Sequence, residues 1–250
     1  MKFISFFAGI GGIDLGLERA GHECVGQCEI DPYAIKVLEK HWPDVPRFGD
    51  ITNVNADELP EADLWAGGFP CQDISCTGKG KGLDGARSGL FFEFMRLVRQ
   101  ARPKHILMEN VAALINRGLD RVLWTLAESR YDAEWHSIEA ASFGAPHRRS
   151  RAFILAYPAS NGRQRNLCEI AAQEIHNFSP EALGAWDSPS HPFSDIQKLM
   201  GTPGTCRLHD GVPSTVDIRP ALRCYGNAVV PQVAEYIGRL LMEIEKENHD

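Results

Sequence analysis

The sequence predicts an α/β protein: a doubly wound, mostly parallel sheet with helices on both faces, and a small irregular region placed late in the chain. Three observations carry this. Short apolar runs alternate with helix-period segments up to residue 157, glycine-rich turns follow several of those runs, and periodicity fades over residues 159–219 before an amphipathic segment opens at Pro231. Strand–helix alternation of this kind is what parallel strands joined by crossover helices require.

Each element has a local reason. Phe3–Phe7 reads as the first strand, and Ile13–Ala20 as a helix closed by Gly21, a residue suited to a left-handed C-terminal position. Glu23–Ile30 is a second strand. Pro32 opens a helix to about His41, where its missing N–H costs no hydrogen bond. Ala62–Gly67 is a strand, Leu90–Ala101 a helix stopped by Pro103, and His105–Glu109 a buried strand. Leu119–Arg130 is a helix with Leu119, Val122, Leu123 and Leu126 on one face, and Trp135–Ala140 and Arg151–Ala156 are the last strands. In the final helix Val233, Ile237, Leu240, Leu241 and Ile244 make an apolar stripe. The expected organisation is a main domain of residues 1–157 plus 220–250 and a small region of residues 158–219.

Composition narrows the classes. A chain of 250 residues with 44% hydrophobic content can build one packed domain with a smaller appendage. No apolar run approaches the ~18 residues of a membrane span, and Met1–Phe7 runs straight into a glycine-rich turn, which suits a core strand better than a signal peptide. Seven cysteines at irregular spacing, without a Cys-x-x-Cys pair, and nine histidines without a ligand pattern predict neither a disulfide framework nor a metal site. A reducing cytoplasm is the expected setting. The net charge of −7 disfavours phosphate binding taken as a sum, but from His147 to Arg165 the arginines 148, 149, 151, 163 and 165 occur without one acid.

Five segments carry chemistry. Phe7-Ala8-Gly9-Ile10-Gly11-Gly12 is a turn between the first strand and helix that lets a ligand approach the backbone. Asp14 stands where a dinucleotide fingerprint has its third glycine, which disfavours a nicotinamide or flavin oxidoreductase. Glu29 ends the second strand twenty residues past Gly9, where an acid commonly holds a ribose, and Asp50 is placed to hold an adenine. Gly67-Gly68-Phe69-Pro70-Cys71-Gln72 follows a strand, so Cys71 is expected at the carboxyl edge of the sheet. The glycine-rich Ser75–Gly82 stretch after it reads as a loop that closes over substrate. Glu109, after the apolar Ile106-Leu107-Met108, is a candidate general acid. His147-Arg148-Arg149-Ser150-Arg151 places alternate arginines at a strand entrance, suited to a phosphate or a base carbonyl. Gly226-Asn227-Ala228-Val229-Val230-Pro231 is a turn into the last helix, uninformative alone.

Together, and in this order, the five segments resemble the DNA cytosine-5 methyltransferase family in its compact bacterial and phage form. The resemblance covers about residues 3–157 and 224–240, and the Pro-Cys-Gln and Glu-Asn-Val pair at this separation is its most specific part. It implies the S-adenosylmethionine-dependent methyltransferase fold, double-stranded DNA as substrate, base flipping, and a place in restriction-modification. The implied catalytic residues are Cys71 as nucleophile, Glu109 at the N3/N4 edge of cytosine, Arg149 on the base carbonyl, and Arg151 in support. The implied S-adenosylmethionine residues are Phe7, Gly9, Ile10, Gly11, Gly12, Glu29, Ile30, Asp50, Ile51, Pro70, Leu90 and Asn227. The implied DNA contacts are Gln72, Ser75, Lys79, Lys81, Arg87, Arg163 and Arg165, and no metal is implied.

Departures from the family pattern are also legible. His147 replaces the usual glutamine, and residues 158–219 are short for a target-recognition lobe and lack its arginine-rich segment, which leaves room for a partner protein in target recognition. A regulatory module without activity is therefore an alternative, although every matched catalytic position is filled. Methylation of tRNA cytosine is another, and the Cys-Phe-Thr tripeptide of that subgroup is absent.

Overall fold

In the computed structural model, residues 1–70, 89–145, 147–159, 224 and 227–247 are described. They run through β1 (Lys2–Phe6), α1 (Gly12–Arg19), β2 (Glu23–Cys28), α2 (Pro32–His41), β3 (Leu64–Gly67), α3 (Leu90–Ala101), β4 (His105–Val111), α4 (Leu114–Arg117), α5 (Leu119–Glu128), β5 (Tyr131–Glu139), β6 (Ser150–Pro158) and α6 (Pro231–Glu247). Short 3₁₀ turns at Ile51–Asn53, Ala56–Glu58 and Ala140–Phe143 join some of them.

The six strands form one sheet in the order β2-β1-β3-β4-β6-β5. β2, β1, β3 and β4 pair in parallel, whereas β6 is antiparallel to both β4 and β5. The mostly parallel expectation therefore holds, with β6 as the exception. Its direction matters, because Arg151 at the start of β6 pairs with Val111 at the end of β4. Run the other way, β6 would deliver its arginines to the opposite end of the sheet.

Two buried clusters lie on the two faces. On one, Ile4, Phe6, Trp65 and Ile106 pack under Phe94, Met95, Val98, Val122 and Leu126 of α3 and α5. On the other, Phe3, Leu64, Leu107 and Leu155 pack under Ile13, Leu17, Leu38, Val233, Ile237 and Leu241 of α1, α2 and α6. Adjacent apolar residues along a strand thus feed opposite layers, and those two apart feed the same one.

The last helix returns to the first through small residues. A Cβ on Gly12 would stand 2.4 Å from the Val229 carbonyl oxygen, and one on Gly16 2.4 Å from that of Pro231. In α2, Asp31 caps the helix by accepting from the Tyr33 and Ala34 amides at 2.9 and 3.2 Å, with Pro32 following it.

Two boundaries differ from expectation. β5 begins at Tyr131 rather than Trp135, because as the edge strand it is half-buried or exposed beyond Tyr131 and carries Asp132 and Glu134, which mask its apolar signal. α5 stops at Glu128, and Arg130 turns the chain at φ 60°. Of the expected region 158–219, all but residues 158 and 159 lies outside the described residues.

Candidate active site

The chain leaves β1 for β2 on one side and later returns to β3 on the other, so a crevice opens at the carboxyl ends of β1 and β3. Ligands of open α/β sheets bind at such a switch point. Around it stand the turn after β1, Glu29 just past β2, Gly68-Phe69-Pro70 after β3, the end of β4, and the entrance of β6.

The first half is an anionic cradle over glycine. Gly9 has φ 57° and Gly11 φ 81°, left-handed values that glycine takes without strain, and the half-buried Phe7 shares this conformation at φ 54°. Above Gly9 a Cβ would meet nothing within 4 Å, so the backbone there faces open space. Gly11 and Gly12 are needed underneath, since a Cβ on Gly11 would strike the Trp42 ring at 2.4 Å and one on Gly12 the Val229 carbonyl. Ile10, between them, is buried.

Glu29 closes the cradle. Its Oε2 accepts from the Gly9 amide at 2.7 Å, and Oε1 accepts from the Ile30 and Asp31 amides at 2.8 and 2.7 Å. Ile30 beside it is 61% exposed, an apolar surface for a planar ligand. Asp50 accepts from the Thr52 amide and hydroxyl at 3.0 and 2.9 Å. Ile51 is buried in the core and its carbonyl accepts from the Arg96 guanidinium at 3.2 Å and the Val54 amide at 3.3 Å, so its amide is what remains for a ligand. Pro70 and Leu90 are half-buried, and Asn227 is exposed just before the segment that packs on Gly12. An open glycine turn, a fixed carboxylate and an exposed isoleucine fit an adenosine-bearing cofactor.

The second half is a buried acid between arginines. Glu109 is 6% exposed, and its Oε1 lies 2.8 Å from Nε of Arg151. Burial pushes its carboxyl up to about 6, while the positive charges of Arg151 and Arg149 pull against that rise. Glu109 lies one residue beyond the last β3–β4 pair, Gly67 with Met108, and faces Phe153 of β6. Arg149 is half-buried, its carbonyl accepting from the Ala140 amide at 2.9 Å. His147, in place of the usual glutamine, is exposed and accepts from the Arg149 amide at Nδ1, 3.4 Å away.

The same strand end grips the turn after β3. A Cβ on Gly68 would stand 2.9 Å from Glu109 Oε2. Asn110, fully buried, donates from Nδ2 to the Phe69 carbonyl at 3.1 Å and accepts from the Val111 amide at 2.9 Å. Consecutive residues of β4 thus hold both sides of Gly68-Phe69, and Cys71 follows Pro70 directly in the chain.

Cys71, Gln72, Ser75, Lys79, Lys81, Arg87, Arg163 and Arg165 lie outside the described residues. Among the residues expected from the sequence, the structure joins Gly9 to Glu29 at one edge, and Glu109, beside Gly68, to Arg151, with the charge of Arg149 acting on the same carboxyl. Gly68, Asn110 and the buried Asp14 were not singled out as site residues. Asn110 sat inside a matched motif, and Asp14 was legible as an acid in an otherwise apolar first turn of α1. Among the described residues no group of three or more His, Cys, Asp or Glu is placed to hold a metal ion, and no helix is long and apolar enough to cross a membrane.

The fold is that of S-adenosylmethionine-dependent methyltransferases. A DNA modification methyltransferase encoded within an E. coli prophage superposes with a TM-score of 0.67 at 21% identity, covering 98% of this chain and 99% of that one. A family model described as C-5 cytosine-specific DNA methylase matches residues 1–191. Type II methyltransferase M.NgoBI of Neisseria gonorrhoeae is 37% identical over 262 residues, covering 98% of this chain and 81% of that protein. Type II methyltransferase M2.BsuMI of Bacillus subtilis (strain 168) is 43% identical over 164 residues, covering 62% of this chain and 42% of that protein. This chain belongs to the family of C-5 cytosine-specific DNA methylases. It spans less than half the length of several relatives, 42–47%.

Proposed function

We propose that this chain methylates C5 of cytosine in double-stranded DNA through a covalent bond between Cys71 and C6 of a flipped base. The observation that carries the reading is the buried Glu109, paired with Arg151 at 2.8 Å and pressed against Gly68, three residues before Cys71.

Cytosine C5 is a weak nucleophile, and the residues supply what it lacks. The Cys71 thiolate adds to C6, the ring π electrons shift toward N3, and Glu109 delivers a proton there, leaving an electron-rich C4–C5 double bond. A carboxyl raised to about 6 still holds a proton in part near neutrality, as this step requires. Arg149 holds the base carbonyl oxygen, and Arg151 fixes the Glu109 carboxylate. S-adenosylmethionine, held by Phe7, Gly9, Ile10, Gly11, Gly12, Glu29, Ile30, Asp50, Ile51, Pro70, Leu90 and Asn227, supplies an electrophilic methyl group for C5. A base then takes the C5 proton, Cys71 leaves as C5=C6 re-forms, and N3 returns its proton to Glu109, restoring the ring.

The target base must leave the duplex, at a cost of a few kcal/mol that pocket contacts offset. Gln72, Ser75, Lys79, Lys81 and Arg87 contact DNA from the segment after Cys71, and Arg163 and Arg165 contribute phosphate attraction. Residues 158–219 serve as the target-recognition region and residues 1–157 with 220–250 as the catalytic part. A partner protein assists target recognition where that short region does not suffice.

The test is a covalent trap with S-adenosylmethionine and mixed-sequence duplexes carrying 5-fluorocytosine, whose fluorine does not leave as a proton does. A denaturation-resistant complex absent in Cys71→Ser is the expected result. Equal complex formation by Cys71→Ser would refute the assignment of the nucleophile.

A further inference from the structure

Beneath the cradle lies a carboxylate that the reaction does not use. Asp14, in the first turn of α1, is 0% exposed. Its Oδ2 accepts from the Ser5 hydroxyl at 2.9 Å and its Oδ1 from the Gln27 side-chain amide at 2.8 Å, with the Cys24 thiol 3.7 Å from Oδ1. These three partners are neutral. Burial raises its carboxyl to about 6, against the pull of the hydrogen bonds. An acid in this position costs desolvation that an alanine or leucine would not, so packing alone gives no reason for it.

The placement of the partners supplies the reason. Ser5 stands two residues before Phe7, Gln27 two before Glu29, and Asp14 two after Gly12. β1, β2 and α1, which deliver Phe7, Glu29 and Gly12, thus meet at this one carboxylate, with Ser5 and Gln27 one side-chain repeat below the crevice. Gln27 extends the junction. Its main-chain amide donates to the Pro46 carbonyl at 3.0 Å and its main-chain carbonyl accepts from the Phe48 amide at 2.8 Å, the segment that leads to Gly49 and Asp50. Above the junction, the Gly9 amide must meet Glu29 at 2.7 Å, which requires β1 and β2 to hold a fixed separation and stagger. The register of that pair shifts between Phe3 and Ile4, and Ser5 and Gln27 pair directly just past the shift, so the carboxylate bridges the strands next to their irregularity.

We propose that Asp14 is a positioning residue of the cofactor site: by bridging Ser5 on β1 and Gln27 on β2, it sets the spacing between the Phe7–Gly12 turn and Glu29. The inference rests on the reading of that turn as the S-adenosylmethionine site. Asp14→Asn can keep both bonds, its carbonyl accepting from Gln27 and its amide donating to the Ser5 oxygen. Asp14→Ala keeps neither.

The experiment is titration of S-adenosylmethionine by calorimetry, with steady-state kinetics and thermal melting, on wild type, Asp14→Ala and Asp14→Asn. Loss of one or two neutral hydrogen bonds corresponds to about tenfold in an equilibrium constant. The expected result is a rise of about tenfold in cofactor Kd and KM for Asp14→Ala, with kcat at saturating cofactor and KM for DNA within about twofold, and Asn restoring the cofactor values to within about threefold. Unchanged cofactor affinity in Asp14→Ala overturns the proposal, as does a loss spread over every kinetic constant that tracks melting temperature and is not rescued by Asn. Wild-type protein that fails to bind S-adenosylmethionine would instead overturn the reading of the turn, and this inference with it. Should Asp14→Ala not fold, Gln27→Leu tests the same bridge from the other strand, with the same split expected.

Discussion

The carboxylate of Glu109 occupies the space in which a side chain on Gly68 would begin, 2.9 Å from where its Cβ would stand. Glu109 lies on β4 and Gly68 just past β3, and they meet because β3 and β4 pair in parallel up to Gly67 and Met108. Glu109 cannot simply yield, because it is buried and held by Arg151. Gly68→Ala should therefore cost about 1–3 kcal/mol of stability and lower the rate of covalent trapping about 100-fold in the folded fraction, since small misplacements of reacting groups are costly. Paired denaturant melts and single-turnover trapping measure both.

Glu109→Gln keeps a donor but removes the proton that the acid delivers. The rate of adduct formation should fall about 100-fold, and the ionisation near pH 6 expected in the wild-type profile should be lost. Stability gives an independent reading. The folded-state carboxyl is raised from 4.5 to about 6, so its contribution is full below 4.5 and is lost as pH rises through about 6. The stability difference between variant and wild type should therefore shift in the variant's favour across that window, as urea melts from pH 4 to pH 7 would show.

Removing Arg151 leaves the Glu109 carboxylate without its 2.8 Å partner. Arg151→Ala should destabilise the protein by up to about 3 kcal/mol at pH 7, since a buried charge loses its counterion. The cost should shrink at pH 5, where Glu109 is already largely neutral, so unfolding at the two pH values separates the charge effect from lost packing.

The close approach of α1 to α6 makes a different prediction. A Cβ on Gly16 would stand 2.4 Å from the Pro231 carbonyl and 2.8 Å from the Glu235 amide, which are backbone atoms that no rotamer change can move. Gly16→Ala should cost about 1–3 kcal/mol, seen as a lower denaturant midpoint at unchanged m-value, with cofactor affinity preserved in the folded fraction.

Much of this protein was legible before any coordinate. Local rules found most elements, because strand and helix periods, Pro32 at a helix start and Pro103 past a helix end are written into neighbouring residues. The order of the five motifs marked the family, since Pro-Cys-Gln and Glu-Asn-Val are short and chemically specific. Other facts depend on contacts between residues far apart in the chain, which periodicity does not encode. The antiparallel direction of β6 carries Arg151 to Glu109, although a strand's sequence period is the same in either direction. The junction at Asp14 needs β1 and β2 side by side, and the need for glycine at positions 12 and 16 appears only when α6 returns, more than two hundred residues later. The sequence by itself determined the elements and the chemical groups; the tertiary structure decided which of those groups meet, because side-chain proximity across a sheet follows from strand order and direction.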